Sequence, residues 1–209
     1  MTAGLQASLF DTDRADPALT PYAAGVRRTE LGSGAWVDVR PGWLQASFEV
    51  FDQLHERVPW RAEERRMYDA TVVVPRLLAM YTERDRWPHP ILSTARAELG
   101  RHYRDVLPEG FATAGLCLYR DGADSVAWHG DRIGRGRTRD TLVAILSLGA
   151  PRPLLLRPTG GGASRRFVLG SGDLLVMGGS CQRTWEHAVP KVPGVGPRIS
   201  VQFRPPGVF

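Results

Sequence analysis

The spacing of hydrophobic positions changes near residue 110. Before it, Leu44, Phe48, Phe51, Leu54 and Val58 recur every three or four residues. That period predicts one helix over Leu44–Val58, ended by Pro59. A second helix is expected over Ser93–Val106, with Ser93 as its N-cap and Pro108 beyond its end. Ala35–Arg40 alternates and reads as a short strand closed by the Pro41-Gly42 turn. Thr71–Val74 is β-branched and reads as a strand interrupted by Pro75, and the charged run Arg61–Arg66 is expected to be exposed. Residues 1–30 show no pattern. After residue 110 short strands follow one another, over Thr113–Tyr119, Thr141–Leu148, Pro153–Leu156, Arg166–Val168, Asp173–Met177 and Ile199–Phe203. Helices first and strands later, without βαβ alternation, predict a mainly β fold with flanking α-helices, built on a jelly-roll (double-stranded β-helix) core. The expected organisation is one domain over 1–209. It divides into a helical or lid extension over 1–110 and a jelly-roll catalytic core over 111–209.

Composition narrows the class. A chain of 209 residues is long enough for a substantial single core. Its net charge is +5 and Arg far outnumbers Lys. A polyanionic partner explains that, and so does arginine-rich genomic composition. Two cysteines, Cys117 and Cys181, make no disulfide framework and point to a reducing compartment. No apolar run reaches membrane-spanning length, and MTAGLQASLF lacks the charged start and apolar stretch of a signal peptide. A cytoplasmic monomer with no membrane partner is the expectation.

The chemistry lies in the last third. WHGD holds His129 and Asp131, TWEHAVP holds His187, and PRISVQFRP holds Arg198 and Arg204. Two imidazoles and a carboxylate occupy three corners of an octahedral Fe(II) and leave three for substrates and oxygen. A structural zinc site would instead close its shell with four protein ligands. His129 and Asp131 are two apart, so on a strand they leave one face. Arg198 and Arg204 share one face of the strand that bears them. Buried cations demand partners, and a dicarboxylate lying on the iron would supply them. Only five histidines occur, and the other three (His55, His89, His102) lie in another region. Gly160-Gly161-Gly162 lacks the Lys-Ser/Thr of a phosphate loop and reads as a turn.

LYRDGADSVAWHGD, GDLLVMGGSCQRTWEHAVP and RISVQFRP resemble the AlkB family of Fe(II)/2-oxoglutarate-dependent dioxygenases, over roughly Leu116–Pro205. VPRLLAMY (Val74–Tyr81) also looks like the family's eukaryotic-type repair members. The resemblance implies Fe(II), 2-oxoglutarate and O2 as reactants and alkylated bases of DNA or RNA as substrate, with release of succinate, CO2 and formaldehyde. His129, Asp131 and His187 would hold the metal and serve as its catalytic ligands. Arg198 would bind the distal carboxylate of 2-oxoglutarate, Tyr119 would donate to the same co-substrate, and Arg204 would sit nearer the metal. The sequence also departs from the family. Cys117 stands where an asparagine is usual, R-x-S-x-Q-x-R replaces R-x-N-x-T-x-R, and Arg132-Ile133 stand where an acidic residue often reads the base's exocyclic amine.

A base must leave its stack to reach the iron, and aromatic rings hold flipped bases. Tyr81, Trp87 and Trp128 are the candidates, although Trp128 should leave the strand face opposite His129 and then reads as an outer aromatic. The loop Arg132–Asp140 follows the metal ligands directly, so Arg135 and Arg137 would meet phosphates or remain solvated surface. Two further readings remain open: the same iron chemistry on a modified RNA, protein or small molecule, and a non-catalytic nucleic-acid-binding jelly roll.

Overall fold

Strand alternation sorts most strands among the described residues into two main sheets with an apolar layer between them, and a two-stranded pair stands apart. The computed structural model describes residues 16–67, 70–130 and 138–208. In chain order its elements are β1 (Ala18–Leu19), β2 (Arg27–Gly32), β3 (Ala35–Arg40), β4 (Leu44–Gln45), α1 (Ser47–Arg57), β5 (Arg61–Met67), β6 (Ala70–Tyr81) and α2 (Pro90–His102). There follow β7 (Thr113–Tyr119), β8 (Val126–His129), β9 (Val143–Gly149), β10 (Arg152–Pro158), β11 (Arg165–Leu169), β12 (Leu174–Gly179), α3 (Cys181–Thr184), β13 (Trp185–Val189) and β14 (Arg198–Arg204). The larger sheet has eight strands in the order β2-β3-β12-β9-β14-β7-β6-β5, and the smaller has four in the order β11-β10-β13-β8. The expected jelly-roll core is therefore present.

Each face of the large sheet buries its own cluster. Leu116, Leu118, Leu146, Leu148, Ile199, Val201 and Phe203 meet Val50, Leu54, Leu92 and Leu99 of α1 and α2. The opposite face turns Val143, Ile145, Leu175 and Met177 toward Leu154, Leu156, Leu169 and Val189 of the small sheet. β9 is buried along its whole length because it lies between both layers.

Several expectations are corrected. The first helix runs Ser47–Arg57, and Leu44 pairs instead with Leu19. Its inner stripe is Val50, Phe51 and Leu54, which leaves Phe48 65% exposed. The second helix starts at Pro90, with His89 rather than Ser93 as cap: the His89 imidazole accepts from Ile91 N at 3.1 Å. Residues 1–110 are not predominantly helical, since their described part supplies β2, β3, β5 and β6 to the large sheet. The β5–β6 hairpin escaped the hydrophobic pattern because β5 is built from the charged run RAEERRM. β6 passes straight through Pro75. Beyond it, β6 pairs with β7 over Leu77–Tyr81, so the proline takes no rung from that ladder.

Candidate metal and co-substrate site

The two histidines meet on the small sheet. β8 and β13 pair antiparallel with His129 directly opposite His187, and the ring centroids are 4.1 Å apart. The register shifts between His187 and Val189, a bulge beside the site. His129 Nδ1 lies 2.9 Å from the Ala127 carbonyl oxygen. An N–H donated there would leave Nε2 unprotonated, the form that can ligate a metal. His187 is buried. Asp131, the third expected ligand, lies outside the described residues, as do Arg132, Ile133, Arg135 and Arg137. Among the described residues no three His, Cys, Asp or Glu side chains gather into a metal shell, so the two imidazoles are the part of the set on view.

The facing wall belongs to the large sheet. On β14, Arg198, Ser200, Gln202 and Arg204 alternate onto one face. Their partners on β7 are Tyr119, Cys117, Gly115 and Thr113. On the other side, Ser147 of β9 stands opposite Ser200. Arg198 is 2% exposed, and its Nε donates to Ser147 Oγ at 2.9 Å. Its guanidinium carbon is 5.3 Å from the Tyr119 ring centroid. Burial pulls the Arg198 pKa down, against the opposing pull of Tyr119 and Cys117. Among the described residues no carboxylate pairs with it. Burial also pushes the Tyr119 pKa up to about 12, assisted by Cys117 and opposed first by Arg198. The phenol therefore keeps its proton and can donate. Arg152 also approaches that ring, 5.4 Å from its centroid, and is fully buried. Arg152 is occupied: Nη1 donates to the Asp121 carbonyl, and Nη2 to those of Asp124 and Pro190, at 2.7–2.9 Å.

Imidazoles on one wall and a buried cation on the other enclose a cavity of about 280 Å³. Val143, Ile145, Leu154 and Val189 supply its apolar lining. An anion that also ligates a metal fits this donor set. Its carboxylate would satisfy Arg198, whose burial as a lone cation is otherwise costly. Fe(II) with 2-oxoglutarate therefore fits the residues present. Sequence reasoning singled out Arg198, Arg204 and Tyr119 but missed Ser147. The signal was there: a lone hydroxyl in the apolar run of a buried strand.

A second cavity of about 610 Å³ adjoins the first and shares Arg76, Cys117, Gln202 and Arg204 with it. The β5–β6 hairpin forms its outer side through Arg61, Ala62, Glu63, Leu78 and Met80. The three candidate aromatics fall out differently. Tyr81 borders this cavity, but its ring packs toward the helix-side core. Trp87 does not reach the cavity. It is 9% exposed, stacks on Phe203 with centroids 6.0 Å apart, and donates Nε1–H to the Thr82 carbonyl. Phe203 lies on the helix-side face, so Trp87 is a core residue and its expected stacking role is withdrawn. Trp128 leaves β8 opposite His129, beneath the Arg157 guanidinium at 4.2 Å. That is the outer-face placement the alternation predicts, and it removes Trp128 from the base pocket.

The model of the 2OG-Fe(II) oxygenase superfamily matches residues 42–204, from the Gly42 turn to the last arginine of β14. The chain belongs to this superfamily. Its relatives place it among the AlkB-like members. It is 32% identical to the alpha-ketoglutarate-dependent dioxygenase alkB homolog 3 of Homo sapiens over 86% of this chain and 66% of that one. The Bos taurus protein of the same name is also 32% identical, over 78% of this chain and 64% of that one. The DNA oxidative demethylase ALKBH2 of Arabidopsis thaliana is 28% identical over 77% of this chain and 62% of that one. The chain thus spans just under two thirds of the length of the human and bovine relatives. Among solved structures, that of OsALKBH1 superposes with a TM-score of 0.58 at 14% identity, covering 86% of this chain and all of that one; it speaks for the fold alone. Superfamily membership accounts for Fe(II) and 2-oxoglutarate as the cofactors the cavity fits.

Proposed function

We propose that this AlkB-like protein demethylates alkylated bases in DNA or RNA by oxidation, in nucleic-acid damage repair. One observation carries the reading. The imidazole pair faces a buried, carboxylate-seeking Arg198 across one cavity, and a larger cavity opens from that chamber. Bound there, Fe(II) with 2-oxoglutarate and O2 supplies the oxidising chemistry, giving succinate and CO2 and placing one oxygen atom on the substrate's N-linked methyl group. The hydroxymethyl product then loses formaldehyde and leaves the repaired base. His129 and His187, with Asp131, hold the metal. Arg198, steadied by Ser147 and Tyr119, binds the distal carboxylate and fixes the co-substrate's orientation. The apolar lining keeps water from the reacting atoms. Names of the relatives that include DNA demethylation support the substrate class, and so does the net charge of +5. Arg135 and Arg137 are proposed phosphate contacts. A monomer in a reducing cytoplasm fits two free, buried cysteines.

The test is incubation with Fe(II), ascorbate, 2-oxoglutarate and singly methylated oligonucleotides, followed by mass spectrometry and succinate assay. Loss of a methyl mass with matching succinate is the expected result. Succinate release on a non-nucleic substrate, with every oligonucleotide unchanged, would move the reading to another substrate. A protein that binds oligonucleotides but never releases succinate would be a binding module.

A further inference from the structure

Cys117, Ser200 and Gln202, three of the positions at which this sequence leaves the AlkB pattern, meet in one cluster. Gln202 Nε2 donates to Cys117 Sγ at 3.3 Å and to Ser200 Oγ at 3.2 Å. Its Oε1 accepts from Arg204 Nη2 at 2.8 Å. The amide is thus fixed with its oxygen toward the arginine. Gly115 completes the seat: a Cβ there would stand 2.8 Å from Arg204 Nη1. The guanidinium lies across β7 above Gly115, where an added Cβ would push it aside. It reaches the wall that the two cavities share.

Arg76 is the second cation on that wall. It stands on β6, on the face of Leu78 and Met80, which pair with Cys117 and Gly115. It lines both cavities. Its Nε is buried with no hydrogen-bond partner, and its Nη1 makes only a long 3.5 Å contact to the Ser125 carbonyl. No ion pair involves it among the described residues. At the exposed outer edge Arg61 and Glu63 offset one another in formal charge. Among the described residues, the inner wall therefore offers two guanidinium groups, an amide, a thiol and apolar Leu78 and Met80, with no carboxylate.

That wall discriminates by charge and by hydrogen-bond sense. Adenine methylated at N1 and cytosine methylated at N3 are cations that present an exocyclic amine donor. Thymine or uracil methylated at N3, and guanine methylated at N1, are neutral and present carbonyl acceptors. Guanidinium donors repel the first group and have nothing to accept from its amine, whereas they hydrogen-bond the carbonyl edge of the second. Resting on the nucleic-acid reading above, we propose that Arg76 is a specificity-determining residue: the cavity it shares with Arg204 takes neutral alkylated bases by their carbonyl edge, in preference to cationic methyladenine and methylcytosine.

The experiment is a competition in one tube. Single-stranded oligonucleotides carry 3-methylthymine, 1-methylguanine, 1-methyladenine or 3-methylcytosine and are followed by mass spectrometry. The ratio of kcat/KM values is independent of how much enzyme is active or loaded. The parent should favour the two neutral bases by about 10-fold or more, the worth of one charge-assisted hydrogen bond. Arg76→Gln should bring that ratio down by a similar factor, and Arg76→Glu should invert it by recruiting the cationic bases. A parent that prefers the cationic bases, or a ratio unmoved in both variants, would overturn the inference while leaving demethylation intact. Absence of any demethylated product from all four, with succinate still released, would overturn the nucleic-acid reading and this inference with it.

Discussion

Replacing Arg198 with methionine should separate the stability of the fold from its hold on the co-substrate, with opposite signs. Arg198 is 2% exposed, donates to the Ser147 hydroxyl and lies beside the Tyr119 ring. Exchanging a buried charge for an apolar side chain of similar reach stabilises by about 1–4 kcal/mol in comparable cases. Leaving the buried Ser147 hydroxyl short of a partner costs about 1–3 kcal/mol. Without 2-oxoglutarate the variant should therefore unfold near or above the parent's temperature. Losing a desolvated charge pair to the co-substrate costs about 2–5 kcal/mol, or roughly 30-fold to several thousand-fold in Kd. The assay is thermal unfolding with Mn(II) in place of iron, with and without 2-oxoglutarate. At 100 times the parent's Kd the parent gains about 2.7 kcal/mol. A 30-fold weaker site gains only about 0.9 kcal/mol from the same concentration by the same relation. At roughly 2–4 °C per kcal/mol, the parent's shift is about 5–11 °C and the variant's at most about 2–4 °C. A variant that keeps the parent's full shift would refute the assignment and make Arg204 or another residue the anchor.

Three other expectations follow from the geometry. His129→Ala or His187→Ala should abolish succinate formation while leaving the far-ultraviolet circular dichroism unchanged, because the rings serve the cavity rather than the core; turnover persisting in His187→Ala would be contrary evidence. Asp124→Asn should destabilise by about 1–2 kcal/mol at pH 7, since its carboxylate accepts three hydrogen bonds at 2.8 Å from Arg120. The side-chain bond from Arg120 is the largest influence holding the Asp124 pKa below its ordinary value of 3.8. This contribution is therefore complete above pH 3.8 and disappears as pH falls through the lower folded value, so unfolding curves of parent and variant should converge once the pH is below that value. Gly179→Ala should cost at least about 2 kcal/mol: φ is +62° there, and an added Cβ would lie 1.9 Å from the Gly34 carbonyl oxygen. A melting temperature equal to the parent's would count against that packing.

What the sequence revealed was set by the range of its signals. The face-sharing of Arg198 and Arg204 follows from period-two alternation within one strand, so it could be read directly. Six of the eight described strands after residue 110 were found within a few residues for the same reason, but β8 and β13, which carry the two histidines, were missing from that run of expected strands. The pairing of His129 with His187 across two strands needed a register that no local pattern supplies. β5 was hidden by its charges, because a strand held by a neighbour's ladder need not look hydrophobic. With it went the hairpin that bounds the larger cavity, and so Arg76. Trp87 misled because an aromatic's residue type says nothing about which side of a sheet it reaches. Its neighbour Phe203 settled that, from 116 positions further along.

His129 and His187 sit on one sheet and Arg198 on the other. The two walls are set apart at that end by Val143, Ile145, Leu154 and Val189, with a void of about 280 Å³ among them. A co-substrate that fills the void and ties both walls is therefore also a cross-brace. The working enzyme would rebuild and dissolve part of its own interior at every turnover. Amide protection on β13 and β14 should rise and fall together with co-substrate occupancy. Trimming a spacer such as Leu154, 3% exposed in the core between the sheets, would then register both as looser co-substrate binding and as a less stable fold.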